Sequence, residues 1–279
     1  MSLDARLTLA RPDLAAEDLQ GLVAAQAYAP RRPAVCRAPA TAVRRTPAAD
    51  AEQVDQLLYG ERFDVLAEAE GFAWGQAARD GYVGHVALAD LGPPGPPPTH
   101  RVAALRTYAF AAPSIKAPAI GPFSLGALVC VTAEEGRFGR DSQGAWFVLG
   151  HLAPIGLGFA ADPAAVAESY LGAPYLWGGR ESLGLDCSGL VQQALLACGR
   201  ACPRDTDQQE AAFEAEIPRS ALRRGDLVFW RGHVGMMLDA ERMIHANAHH
   251  MAVAIEPLDA AIARIDAAGS GEPTSFHRP

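Results

Sequence analysis

The stretch Pro174-Tyr-Leu-Trp-Gly-Gly-Arg-Glu-Ser-Leu-Gly-Leu-Asp-Cys-Ser-Gly-Leu190 decides the reading of the whole chain. Its glycine-bearing half is a loop. From Cys187 onward, Leu190, Val191, Ala194, Leu195 and Cys198 fall on one helical face, and Gly199 supplies a stop, so a helix is expected over 187–198. Cys187 then stands at the first turn, where aligned peptide dipoles place partial positive charge. That position favours a thiolate, and free N–H groups there suit a developing oxyanion. Tyr175 and Trp177, in the loop ahead of the thiol, are either core aromatics or the wall of a cleft.

A thiolate nucleophile needs a proton shuttle. Downstream, apolar runs at 226–230, 233–238, 243–246 and 252–255 read as strands, and two of them carry His233 and His245. A three-residue loop at Asp239-Ala-Glu241 pairs residues whose numbers sum to about 480, which makes the two histidines diagonal neighbours on one face. A loop of two or four residues sends them to opposite faces. Gly235 is expected to leave space for the two imidazoles. Upstream of the cysteine, Asp162-Pro163 reads as an N-cap with proline at the first helical position, closed by Gly172. Helices first and antiparallel strands after give an α+β unit of about 120 residues.

The other cysteines carry less. Cys36, Cys130, Cys198 and Cys202 read as bystanders, and Cys198-x-x-x-Cys202 lacks the second pair a structural zinc site needs. Five cysteines also make no disulfide framework. His249 and His250 read as a solvated loop end, with a metal role beside His245 as the lesser alternative. No cofactor or metal is expected.

N-terminal to this unit the texture is different. Between about Val54 and Leu88, short apolar runs alternate with Gly71, Gly75, Gly81 and Gly84, the pattern of a small β-barrel. A second such passage runs from Val102 to about Ile155, after the stiff segment Gly92-Pro-Pro-Gly-Pro-Pro-Pro98. The two share a layout and read as diverged copies of one module. Before them, residues 13–28 show an amphipathic helix pattern, and Pro30–Pro47 reads as an extended connector. The expected organisation is a helical arm and connector over 1–47, β modules over 48–96 and 97–158, and the α+β unit over 159–279.

Composition narrows the partners. The net charge of −8 argues against phosphate-driven nucleic-acid binding. No run of about 18 apolar residues suggests a membrane span, and no basic segment followed by an apolar run marks the N-terminal stretch. A cytoplasmic location is expected.

With these residues in place, a resemblance can be stated. Pro174-Tyr-Leu-Trp-Gly-Gly, Asp186-Cys-Ser-Gly-Leu-Val191, Gly225-Asp-Leu-Val228, His233-Val-Gly-Met and Ile244-His-Ala resemble the signature of NlpC/P60 cysteine peptidases, papain-like enzymes that cut peptidoglycan stem peptides. The upstream modules are similar to bacterial SH3 domains. Two of them before such a domain resemble the γ-D-glutamyl-L-diamino acid endopeptidases of murein recycling, which act on stem peptides with a free N-terminal L-Ala. The resemblance implies Cys187 as nucleophile, His233 as base and His245 as the group orienting it. It implies Asp186 and Ser188 along the substrate site, and Asp205 and Thr206 in the stretch that meets the L-Ala ammonium. From the first SH3 domain it implies Glu61, in Leu58-Tyr-Gly-Glu, and Tyr82, in Asp80-Gly-Tyr-Val-Gly. The alternative readings of Glu61 and Tyr82 are a solvated turn residue and a core aromatic. Arg180 and Arg204 are candidate cations for an anionic stem peptide. Two other functions remain open: a thiol-dependent amidase or acyltransferase of the same superfamily, and a catalytically silent module that binds wall peptides.

Overall fold

A computed structural model describes residues 3–279, which divide between Ile155 and Gly156 into two compact units.

The first unit is built from β-structure. A seven-stranded sheet contains Arg32–Cys36, Ala40–Arg44, Gln53–Leu58, Arg62–Ala69, Phe72–Ala77, Val83–Ala87 and Leu91–Gly92. Alternate residues point inward, so Cys36, Val43, Leu57, Phe63, Val65 and Val86 form one core. Residues 93–99, the proline-rich stretch, are exposed and carry no strand. Beyond it, a five-stranded sheet and a three-stranded sheet enclose a second core around Val102, Ala109, Phe123, Val129 and Phe147. Leu58 and Tyr59 join this second core, and the Tyr59 ring meets Phe123 edge-on at 5.0 Å.

Two expectations fail in this unit. The helix over 13–28 is replaced by two short parallel strands, Leu14–Ala16 and Ala27–Ala29, around a single 3₁₀ turn. Packing overrides the helical pattern: Leu9, Ala16, Leu14 and Leu19 cover Trp74 of the seven-stranded sheet, and Gly21 breaks the run at φ +85°. The connector over 30–47 likewise becomes two sheet strands, because Cys36 and Val43 have core positions to fill. Pro33 and the arginines had masked their alternation.

The second unit is α+β. Helix α1, Pro163–Ser169, starts as expected, with Asp162 Oδ1 accepting from Ala164 N–H at 2.9 Å and proline at N1. Helix α2 spans Cys187–Ala197, α3 Thr206–Ala212 and α4 Leu258–Ala267. The antiparallel sheet runs in the order Ala252–Pro257, Arg242–Asn247, His233–Met237, Leu227–Trp230, Ser275–His277. Helix α2 packs on the two strands that carry the histidines. On the other side, α4 buries Leu258, Ala261, Ile262 and Ile265 against Trp230, Met237 and Met243. No helix among the described residues is long and apolar enough to cross a membrane.

Candidate active site

Cys187 opens α2, one residue after its N-cap Asp186. The helix start is held against the preceding loop at backbone distance. A Cβ on Gly189 would stand 2.2 Å from the carbonyl oxygen of Gly179, and one on Gly179 would stand 2.6 Å from that of Gly184. Glycine at both places is what lets the loop close on the helix. The Asp186 carboxylate locks the junction. Oδ1 accepts from Gly189 N–H at 2.8 Å, Arg204 Nη1 at 3.0 Å and Ser188 Oγ at 3.3 Å, and Oδ2 accepts from Gly178 N–H and Arg204 Nη2, both at 2.8 Å.

The thiol is buried, with Sγ 4.0 Å from Thr206 Oγ1 and facing the backbone N–H groups of Val234 and Ser188. Val234 directly follows His233, so the helix start and the strand start converge on the sulfur. Burial, reinforced by the Asp186 charge, pushes the thiol up to about 11 and outweighs the hydrogen bonds that favour a thiolate. The expected low-pKa cysteine is therefore a protonated thiol in the resting site.

The histidine register is as expected. Met236 pairs with Ile244 and Met237 with Met243, and Asp239 Oδ1 ties the three-residue loop by accepting from Glu241 N–H and Arg242 N–H. His233 Nε2 lies 2.8 Å from His245 Nδ1, with the rings edge to face at 5.0 Å. The space at Gly235 is taken chiefly by Met243, whose Cε would stand 1.9 Å from a Cβ there. It is thus the methionine, more than the imidazoles, that requires the glycine.

Beyond His245 stands a residue the sequence reading missed. Glu256 Oε1 lies 2.7 Å from His245 Nε2 and also accepts from Arg264. The strand register places His245 opposite Ala254, so Glu256 is the next residue on the same face. It is also the one carboxylate in Ala252–Pro257, and that was the available signal. Burial raises its pKa, but the bonds from His245 and Arg264 prevail and hold it down at about 2. An ionised Glu256 accepts only, so His245 carries its proton on Nε2 and accepts at Nδ1 from His233 Nε2–H. His233 is thereby left with its lone pair on Nδ1. Burial first, then the neighbouring His245 and Arg264, pull His233 down to about 3, and burial also lowers His245. The resting pair is a neutral thiol and a neutral imidazole in a fixed tautomer.

The structure brings Ser188, Thr206 and Tyr175 to the same place. Ser188 Oγ accepts from Arg204 Nη1 at 2.9 Å. The Tyr175 phenol is held protonated by burial and by the neighbouring Asp186 charge. Trp177 is 58% exposed, and its chain neighbour Leu176 and, further along the loop, Leu183 are also exposed, so Trp177 does not belong to the core. Asp205 is engaged in a capping box at the start of α3 with Gln208. Arg204 and Arg180 are each 1% exposed, which removes both as open cations for an anionic substrate. In the first unit, Tyr82 packs in the barrel core. Glu61 is 2% exposed, accepting from Leu58 N–H and from Arg79.

A buried thiol at a helix start, beside the strand that carries a histidine oriented by a second polar group, is an arrangement suited to cysteine-hydrolase chemistry. Comparison with known proteins finds relatives of that class. Residues 172–266 match the NlpC/P60 family, and residues 43–91 match the bacterial dipeptidyl-peptidase Sh3 domain. The chain carries both domains. Among curated relatives, it is 37% identical over 101 residues to a dipeptidyl-peptidase 6 of Lysinibacillus sphaericus, covering 36% of this chain and 37% of that one. It is 35% identical over 97 residues to a γ-D-glutamyl-L-lysine dipeptidyl-peptidase of Bacillus subtilis, covering 32% of each. The chain thus spans about a third of the length of these relatives. An NlpC/P60 family protein from Bacillus cereus has the same fold, with a TM-score of 0.74 at 19% identity, covering 88% of this chain and 99% of that one. The site belongs to a cysteine-type peptidase domain.

Proposed function

We propose that the chain hydrolyses the γ-D-glutamyl–diamino acid bond of murein stem peptides bearing a free N-terminal L-Ala, in the cytoplasmic recycling of wall peptides. The observation that carries this reading is the Cys187–His233–His245 arrangement in a chain that also holds a dipeptidyl-peptidase-type SH3 domain. We read the second β assembly, from His100 to Pro154, as a diverged copy of that domain.

In the proposed reaction, Cys187 gives its proton to His233 Nδ1 as Sγ attacks the γ-carbonyl carbon of D-Glu. The Cys187 N–H supports the oxyanion. The imidazolium then protonates the departing diamino-acid amine, leaving a thioester. Water, deprotonated by His233, hydrolyses the thioester and regenerates the thiol. Because thiol and imidazole are both neutral at rest, proton transfer accompanies attack. Asp186 and Glu61 are each held by an arginine, and the selection for a substrate ammonium is read at the start of α3, where Asp205 and Thr206 stand.

The test is incubation with L-Ala-γ-D-Glu-meso-diaminopimelate, with products followed by mass. Release of L-Ala-D-Glu that disappears in Cys187→Ala and on N-acetylated substrate is expected. Turnover of the acetylated peptide overturns the amine requirement. The exposed apolar side chains of Leu176, Trp177 and Leu183, in the segment ahead of the nucleophile, favour a second reading, transfer or hydrolysis of an acyl group by the same thiol. Labelling of Cys187 by an activated acyl ester, with no cleavage of the peptide, would select it.

A further inference from the structure

The turn after Asn247 carries two histidines that the peptidase chemistry does not use. The exposed His250 stands edge-on to His249, with ring centroids 4.8 Å apart. Its Nδ1 lies 2.9 Å from Asn247 Oδ1, which also accepts the His250 backbone N–H at 2.8 Å. That acceptor fixes the imidazole proton on Nδ1 and leaves the lone pair on Nε2, the arrangement found in metal-ligating histidines oriented by a second group. One ligand atom each from His245, His250 and Glu256 lie within 4.8 Å of one another. The donor set of two imidazoles and one carboxylate suits zinc and its neighbours in the divalent series. Bonds of about 2.0–2.2 Å in a tetrahedral site place ligand atoms roughly 3.3–3.5 Å apart, so the 2.7 Å contact between His245 and Glu256 has to open by less than about 1 Å. The cation opposing this is Arg264, on Glu256 Oε1. Its side chain is 25% exposed and has solvent to move into.

We propose that His245, His250 and Glu256 form a site for zinc or a similar borderline divalent cation, and that its occupation switches off the Cys187–His233 pair. The mechanism is a change of tautomer. A metal on His245 Nε2 takes the lone pair there, so the remaining proton of that ring must sit on Nδ1. That proton points at His233 Nε2, which must then accept it and carry its own proton on Nδ1, the nitrogen that serves the thiol. The Nε2 proton of His245 leaves to solvent, the shared proton passes from His233 to His245, and one proton from solvent enters at His233 Nδ1. The proton count is unchanged and the base is lost. Access is through exposed His250, on the side of His245 away from His233.

Metal binding stands apart from the proposed substrate; its catalytic consequence rests on the Cys187–His233 reading. Two measurements separate them. Zinc titrated calorimetrically into the Cys187→Ala chain is expected to fill one site, weakened at least about tenfold by adding His250→Ala. In the chain with Cys187 intact, alkylation of the thiol by iodoacetamide needs no substrate. It is expected to slow on zinc addition and recover with chelator, whereas His250→Ala reacts at its metal-free rate at the same zinc concentration. Absence of binding to Cys187→Ala overturns the site. Equal zinc sensitivity with and without His250 shows that zinc acts on the thiol itself and overturns the switch.

Discussion

Each unit buries one carboxylate that the sequence reads as substrate-facing, and each neutralises it with an arginine from elsewhere in the chain. In the catalytic unit, Asp186 receives five hydrogen bonds, and its partner Arg204 is 1% exposed. In the β unit, Glu61 receives Leu58 N–H and Arg79, whose side chain is 19% exposed and also donates to the Gly126 carbonyl at 3.3 Å. The first pair is sealed, and the second keeps a path to solvent. A buried charge left alone is costly in proportion to that sealing, so outwardly similar pairs should respond unequally to the loss of the acid.

Asp186→Asn is the larger perturbation. It strands Arg204 and weakens the cap of α2, and is expected to cost about 3–5 kcal/mol. Glu61→Gln keeps an acceptor for Arg79, which can also turn to water, and is expected to cost about 1–3 kcal/mol. Urea unfolding of the two variants measures the difference, and equal losses would break the comparison.

The same contrast between sealed and open sites has a pH signature. His233 is held near 3 in the folded chain against about 6.5 unfolded, so below 6.5 the unfolded state takes up a proton that the folded state refuses. Stability is complete above that pH and falls as pH drops toward 3, by up to about 1.4 kcal/mol per unit for this group. Cys187 has the opposite sign. Its folded value of about 11 exceeds the unfolded thiol's, so stability declines as pH rises above roughly 8.5–9. Denaturation midpoints between pH 4.5 and 6.5, where Glu256 stays ionised, test the histidine part. His233→Gln is expected to flatten that slope, and an unchanged slope would assign it elsewhere.

Glu256 shows what could and could not be read from the chain. The cysteine helix, the loop of three and the histidine register follow from local periodicity and turn length, which one sequence contains. Glu256 acts through the pairing of a third strand, and its role depends on a register that short-range patterns leave open. The arginines that quench Asp186 and Glu61 lie 18 residues away in each case, brought in by loops without periodicity. Strands at 32–36 and 40–44 were hidden for a related reason: Pro33 and the arginines break an alternation that the barrel nonetheless uses. Glu256→Gln replaces a charge-assisted bond to His245 by a neutral one. It is expected to lower kcat about five- to tenfold, near 1 kcal/mol, with little change in KM.

The smallest effect separates the units again. Among the described residues, two that are not glycine adopt the left-handed region, Glu70 at φ +54° and Met251 at φ +50°. Met251 gives its carbonyl to Tyr175 N–H at 3.0 Å, so its conformation positions the loop before the nucleophile. Glu70 sits with Gly71 in the two-residue turn between Arg62–Ala69 and Phe72–Ala77, both at positive φ, where an Asn-Gly pair is the favoured chemistry. Glu70→Asn is expected to raise stability by about 0.5–1 kcal/mol and to leave alkylation of Cys187 unchanged. The same replacement at Met251 should also stabilise, because it relieves the same backbone cost. A change in thiol reactivity that accompanies it only at Met251 would tie that turn to the active site and leave the Glu70 turn a matter of stability alone.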